Sequence, residues 1–94
     1  MKLHISTPLQ TSVGVPAGDY EVDIDETSGE ILLSNATITI RLESVRRSSK
    51  IRVSRSSAQL RKVVGEQRWL LVVRTPPATE WVASLQEASA INKG

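Results

Sequence analysis

The sequence contains no cysteine and only one histidine, His4, and these two shortages exclude several kinds of chemistry. Without cysteine there is no disulfide framework, no thiolate metal ligand and no cysteine nucleophile. A single histidine does not supply the ligand set of a zinc site. The many serines do not occur in the Gly-x-Ser-x-Gly pattern of a nucleophile elbow. We therefore expect no catalytic residue, no bound metal and no cofactor.

Aromatic residues and long apolar runs are also scarce. Phenylalanine is missing, and the aromatic residues are Tyr20, Trp69 and Trp81, so the core must consist mainly of valine, isoleucine and leucine. The β-branched members of this set favour strands. No window approaches the ~18 apolar residues of a membrane span, and residues 1–5 lack the apolar run of a secretory signal. These features predict a soluble, cytoplasmic protein that does not contact a membrane.

Charged residues are plentiful but unevenly distributed along the chain. Residues 1–40 carry one lysine against six acids, whereas residues 41–75 carry ten bases against two acids. The net charge of +2 therefore hides one acidic and one basic region.

The length of 94 residues is enough for one domain with a single small core. We expect residues 1–18 to form an edge strand and a loop. Residues 19–74 are expected to form a small barrel, and residues 75–94 a C-terminal helix with a frayed end.

The most regular patterns lie in the first half of the barrel. Over residues 19–25 apolar residues alternate with four acids, which is the period of a strand with one buried face. Gly29 closes a turn, and residues 30–34 return as the hairpin partner. A long alternating strand over 36–45 follows, then a polar turn at 46–50 and a further strand that begins at Ile51. The inner face of this last hairpin would consist of Ile38, Ile40, Leu42, Ile51 and Val53.

Two segments show helical signals. Ser56 precedes Gln59 by three residues, as in a capping box, and this spacing predicts a short helical turn near 57–64.

The apolar run 69–73 suits a central strand that is buried on both faces.

After the two prolines at 76 and 77, the side chains of Trp81, Leu85 and Ala88 recur at helical intervals. This pattern predicts a C-terminal α-helix near 77–90 that packs on the barrel.

A meander whose last strand follows a short helical turn resembles the order of elements in SH3-like barrels. The resemblance is one of topology and covers roughly residues 19–74. The sequence therefore predicts a mainly β fold, a small antiparallel meander or SH3-like barrel of five to six strands.

The acids of the first hairpin do not form a recognisable site. An EF-hand loop needs glycine at its sixth position, whereas Gly29 is seventh from Asp23. Asp23 and Asp25 alternate onto a solvated face, where nothing raises the pKa of a carboxyl group for acid catalysis. A hairpin turn explains these residues better than a metal site or a catalytic pair.

The basic hairpin of residues 41–55 is the candidate functional feature. Arginine side chains make two-point contacts with phosphate or carboxylate oxygens, so an anionic macromolecule is the expected partner. The outer face lacks aromatic residues that stack on bases, which disfavours sequence-specific binding of single strands. The candidate site residues are Arg41, Arg46, Arg47, Lys50, Arg52 and Arg55.

Two hypotheses for function remain open at this stage. The first is a non-catalytic binding module whose basic hairpin contacts an anionic partner, with nucleic acid as the leading candidate. The alternative is a protein-interaction or self-assembly module, a homo-oligomer in which the acidic strand 19–25 and the basic hairpin 41–55 pair across chains. The acids could also neutralise the arginines within one sheet.

Overall fold

The computed structural model describes residues 1–11, 14–48 and 52–87. Of these residues 63% lie in strands and none lies in a helix, so the predicted mainly β fold is confirmed. The strands are β1 (Lys2–Ile5), β2 (Leu9–Gln10), β3 (Gly18–Asp25), β4 (Glu30–Ser34), β5 (Thr39–Glu43), β6 (Val45–Ser48), β7 (Ser57–Lys62), β8 (Arg68–Thr75) and β9 (Thr79–Glu87).

The first sheet, sheet A, is antiparallel and has the strand order β1-β3-β4-β5. Its centre is the predicted hairpin of β3 and β4, in which Ile24 lies opposite Ile31. Gly29 has a φ of +78°, a left-handed conformation that glycine adopts without a steric cost. The carboxylate of Asp25 accepts the backbone N–H groups of Thr27 at 2.9 Å and Ser28 at 3.3 Å, and these two bonds fix the turn.

The second sheet, sheet B, has the order β2-β9-β8-β7, and β6 also pairs with β9. Because β8 occupies one edge of β9, strands β6 and β2 share the other edge. β6 pairs with the first half of β9, from Ser48 opposite Thr79 to Val45 opposite Val82. β2 pairs with its end, where Leu9 lies opposite Glu87.

Ser44 is the point where the chain crosses from sheet A to sheet B. Its backbone N–H and its hydroxyl both donate to the carbonyl oxygen of Gly29, the N–H at 3.2 Å. The ring of Trp81 covers the same place, since a Cβ on Gly29 would lie 3.5 Å from its Cζ3 atom. This crossing joins the two sheets into a curled half-barrel.

The core lies between the inner faces of both sheets. Tyr20 belongs to it; burial raises the pKa of its hydroxyl, which donates to the carbonyl of Pro16 at 2.6 Å. Apart from the aromatic residues with a polar atom, no polar or charged residue in the described ranges is buried. Burial of aliphatic surface at about 25 cal/mol per Å² is therefore the main source of stability. The largest fully buried side chains are Ile5, Val15, Val22, Ile31, Leu33, Ile40, Leu71, Val73 and Leu85.

The predicted C-terminal helix near 77–90 is wrong where it can be compared. Thr79–Glu87 is strand β9, and residues 88–90 lie outside the described part. Trp81 and Leu85 are four residues apart, an even spacing that places them on one face of a strand as well as on one face of a helix. Strands β8, β6 and β2 all pair with β9, so the backbone groups of β9 form hydrogen bonds with other strands rather than within a helix.

The predicted helical turn near 57–64 is also wrong, because Ser57–Lys62 forms strand β7 at the edge of sheet B. A helix this short is marginal by itself, whereas β7 gains a ladder with β8 and turns Ala58 and Leu60 towards the core. The similarity to SH3-like barrels stays a prediction, and it loses the helical turn on which it partly depended.

The predicted basic hairpin does not form among the described residues. β5 pairs only with β4 and ends at Glu43, and the expected turn contains strand β6, which pairs with β9. Residues 52–56 form no strand, and residues 49–51 lie outside the description. The described residues form nine strands in two sheets, whereas the sequence predicts five to six strands in one meander.

The described residues share one hydrophobic core that draws on both sheets. Within the described ranges, no helix has the length and apolar character that a membrane span requires.

Candidate binding surface

The outward side chains of sheet A form a surface that we call the acidic face. Alternation along each strand turns these residues away from the core, as in β3, where Asp19, Glu21 and Asp23 are exposed. This surface carries six acidic and two basic residues. Its charged residues are Lys2, Asp19, Glu21, Asp23, Asp25, Glu30, Arg41 and Glu43, with His4 beside them.

Near β1, two acids of the acidic face have a polar partner. The amino group of Met1 lies 3.3 Å from the carboxylate of Glu21, and His4 Nδ1 lies 2.6 Å from Asp19 Oδ1. At the other end of the face, no ion pair joins described residues.

At the end of the acidic face away from β1, three acids lie directly opposite one another on adjacent strands. We call them the acidic row, which consists of Asp25 on β3, Glu30 on β4 and Glu43 on β5. No salt bridge between described residues involves any of the three. The backbone hydrogen bonds from Thr27 and Ser28 lower the pKa of Asp25, so its carboxyl stays ionised at neutral pH. Like charges in directly opposed positions are destabilising. This acidic row would therefore gain from contact with a cationic partner.

The outward side chains of sheet B form a second surface, the arginine face. The register places Arg74 beside Glu80, and Arg47 lies on the other side of Glu80. Arg61 and Leu70 lie opposite each other further along the sheet. This surface carries four arginines and one acid. The arginine face consists of Val45, Arg47, Ser57, Gln59, Arg61, Arg68, Leu70, Val72, Arg74, Glu80, Val82, Ser84 and Gln86.

Two of the four arginines already have carboxylate partners. Arg74 Nε donates to Glu80 Oε1 at 2.8 Å in a half-buried pair, and Arg68 pairs with Glu66 at the β7–β8 turn. No salt bridge in the described ranges involves Arg47 or Arg61, and both are exposed. These two guanidinium groups are the charges on the arginine face that a partner could neutralise.

An aliphatic row crosses the centre of the arginine face. Val72, Val82 and Val45 lie opposite one another on β8, β9 and β6, and Leu70 is beside them on β8. Val72 is only 3% exposed, Val82 is half-buried and Val45 is 67% exposed. A small apolar centre with arginines around it is the composition of a protein interface, because arginine is enriched there and other charges are depleted.

The six residues of the predicted site do not share one surface. Arg41 lies on the acidic face, whereas Arg47 lies on the arginine face. Arg46 lies opposite Trp81 on the core side, with its guanidinium carbon 5.9 Å from the centre of the indole ring. The exposed Arg52 and Arg55 precede β7. Lys50 lies outside the described residues.

Three further arginines of this surface, Arg61, Arg68 and Arg74, are not among the predicted site residues. Arg61 lies within the segment predicted as a helical turn, and Arg68 and Arg74 flank the apolar run 69–73. The signal that could have found them is the even spacing of Arg68, Leu70, Val72 and Arg74, which places all four on one face of a strand.

A separate ion pair joins the edge strand β7 to β9. Lys62 donates to the Glu87 carboxylate, and this hydrogen bond lowers the pKa of Glu87. The Lys62 ammonium also lies 5.4 Å from the ring centre of Trp69. Both charges are satisfied by each other, so this pair joins β7 to β9 and leaves no charge for a ligand.

A cleft of about 520 Å³ beside β1 is lined by residues that include His4, Asp19 and Glu21, and all three are exposed. The cleft between β5 and β9 has a volume of about 710 Å³ and is lined by polar residues that include Glu30, Arg41 and Glu43. None of the residues that line it is a buried polar residue. Within the described residues no three histidine, aspartate or glutamate side chains converge as metal ligands.

The fold and its surfaces define an antiparallel two-sheet β domain with opposite charges on the outer faces of its two sheets. The comparisons with protein-family models, with curated proteins and with solved structures give no match for this chain.

Proposed function

We propose that the chain is a non-catalytic binding module whose arginine face contacts an acidic surface of a protein. The observation that carries this proposal is the segregation of charge. Arg47 and Arg61 are exposed without a salt bridge between described residues, and the unneutralised acids lie on the other sheet. Among the described residues, the carboxylates that pair with arginines of this face are Glu80, which binds Arg74, and Glu66, which binds Arg68.

The aliphatic row favours a protein partner over a nucleic acid. Val45 and Val82 would lose contact with water against a protein surface, whereas a phosphate backbone offers them little apolar surface. No aromatic side chain lies on the arginine face for bases to stack on.

Nucleic acid is the second candidate, because Arg52 and Arg55 are exposed as well. No ion pair between described residues involves either of them. Together with Arg47 and Arg61 they could neutralise several phosphates, and each neutralised phosphate would release counterions.

The double variant Arg47→Gln/Arg61→Gln tests the proposal. We expect it to bind polyglutamate about tenfold more weakly than the unmodified chain, since two exposed charge contacts of about 0.7 kcal/mol each would be lost. Fluorescence anisotropy of labelled polyglutamate and of a labelled DNA duplex, at several salt concentrations, measures the effect.

Arg41→Gln is the matched control, because it removes an exposed arginine from a strand of sheet A. It should not weaken binding. An equal loss of polyglutamate binding in the control and in the double variant would contradict the proposal. If the duplex binds more tightly than polyglutamate, and the double variant reduces the salt slope of duplex binding by about 2, the partner is nucleic acid.

A further inference from the structure

We propose that the acidic partner of the arginine face is the acidic face of a second copy of this chain. The inference rests on the function proposed above and names the partner. It predicts a head-to-tail assembly in which sheet B of one molecule packs on sheet A of the next.

No ion pair between described residues joins the acidic face to the arginine face within one molecule. The inner side chains of both sheets point into the same core, and the outer faces adjoin along the cleft between β5 and β9, where Glu43 lines the same space as the uncharged Ser84 and Gln86. The free arginines of one face and the acidic row of the other are therefore left for a second molecule.

The charges of the two faces are complementary. On the arginine face, the guanidinium groups of Arg47 and Arg61 form no salt bridge with a described residue. On the acidic face, the carboxylates of the acidic row also form no salt bridge with a described residue. Placing one against the other would relieve the like-charge repulsion within the acidic row. Bidentate pairs between arginine and carboxylate would also fix the orientation of the two molecules.

The apolar centre of the arginine face also has a counterpart. Leu32 on β4 is half-buried, lies opposite Arg41 and faces outward among the acids. In the assembly it could cover Val45 or Val82. A standard interface of about 800 Å² per partner would use roughly one-eighth of the accessible surface of 6210 Å².

The symmetry of the contact follows from the use of two different faces. A contact between unlike faces is heterologous, and such contacts generate a ring where the rotation closes or an open filament where it does not. We therefore expect assemblies larger than a dimer.

Two variants that each disable one face provide the test. Glu30→Gln/Glu43→Gln removes two of the three charges of the acidic row, and Arg47→Gln/Arg61→Gln removes the free charge of the arginine face. We expect the unmodified chain to form species larger than a dimer at about 0.1 M salt and to dissociate at about 1 M, where the Debye length is about 3 Å. Each variant alone should be a monomer of 10.3 kDa.

The decisive sample is an equimolar mixture of the two variants. The intact acidic face of one can bind the intact arginine face of the other, but the complex has no further pair of faces with which to grow. Sedimentation velocity should therefore show a dimer in the mixture and no larger species. Neutral substitutions are used because charge reversal would create a second complementary pair. Circular dichroism of each variant checks that the strands are retained.

Three results would overturn the inference. They are a monomeric unmodified chain at high concentration and low salt, a variant that assembles alone as the unmodified chain does, and a mixture that stays monomeric. If the unmodified chain is monomeric but binds polyglutamate through Arg47 and Arg61, self-assembly fails while the proposed function stands. If polyglutamate binding is also independent of these arginines, both fail.

Discussion

Replacing Ala83 by glutamate is expected to unfold the domain or to lower its free energy of unfolding by at least about 3 kcal/mol. Ala83 is 1% exposed and points into the core from the middle of β9, between Trp81 and Leu85. A carboxylate there would be buried without a cationic partner, since the described core contains no charged residue. Because a domain is stabilised by only about 5–15 kcal/mol, the loss would be visible as a lower urea midpoint.

Ser84→Glu is the matched control, one residue further along the same strand. Ser84 is exposed and faces outward, so the same change should alter stability by about 0.5 kcal/mol or less. A helix over 77–90 would give a different result, because position 83 would lie opposite its apolar stripe and accept glutamate easily. Equal tolerance of the two substitutions would contradict the strand.

Trp81→Ala is expected to cost about 3–5 kcal/mol, as for other large aromatic residues removed from a core. The Trp81 ring is 5% exposed, covers Gly29 next to the crossing at Ser44 and supports the guanidinium of Arg46. Its removal would leave a cavity where the two sheets join. Urea unfolding followed by far-ultraviolet circular dichroism measures the loss without depending on tryptophan fluorescence.

Trp81→Phe separates packing from hydrogen bonding at this position. The indole N–H is buried and has no hydrogen-bond partner in the described part of the chain. Phenylalanine would retain much of the ring contact and remove that unsatisfied donor, so it should cost less than half as much as alanine. A loss below about 1 kcal/mol for Trp81→Ala would contradict the role of this ring in the core.

The strands of sheet A could be predicted because their local signals agree with one another. Residues 19–25 alternate strictly, and Gly29 stands where the turn to β4 requires a positive φ. The ladder of β3 and β4 follows from these two facts alone, since a short turn brings adjacent strands together.

The strands of sheet B could not be predicted with the same local rules. The spacing of Trp81 and Leu85 fits both a helix and a strand, and the capping-box pattern at Ser56 is a local signal that pairing with β8 overrides. What decides these segments is the partner strand, and strand pairing is a long-range property that local spacing does not contain.

The candidate site also combines features that the sequence predicts with features that depend on strand pairing. The charge asymmetry between the two parts of the chain was visible in the sequence, but its distribution over two faces depends on the crossing at Ser44. That crossing separates Arg41 from Arg47, although they are six residues apart in the chain. Register then places Arg61 and Arg74 on the face that holds Arg47.

The most direct test of the proposed binding function is to map which face binds an acidic polypeptide. Polyglutamate would be titrated at low salt into the ¹⁵N-labelled Glu30→Gln/Glu43→Gln variant, which is expected to stay monomeric, and amide shifts would be followed by NMR. We expect the amides of Arg47, Arg61 and Val82 to move together while those of β3 do not. Shifts confined to sheet A, or an unchanged spectrum, would contradict it.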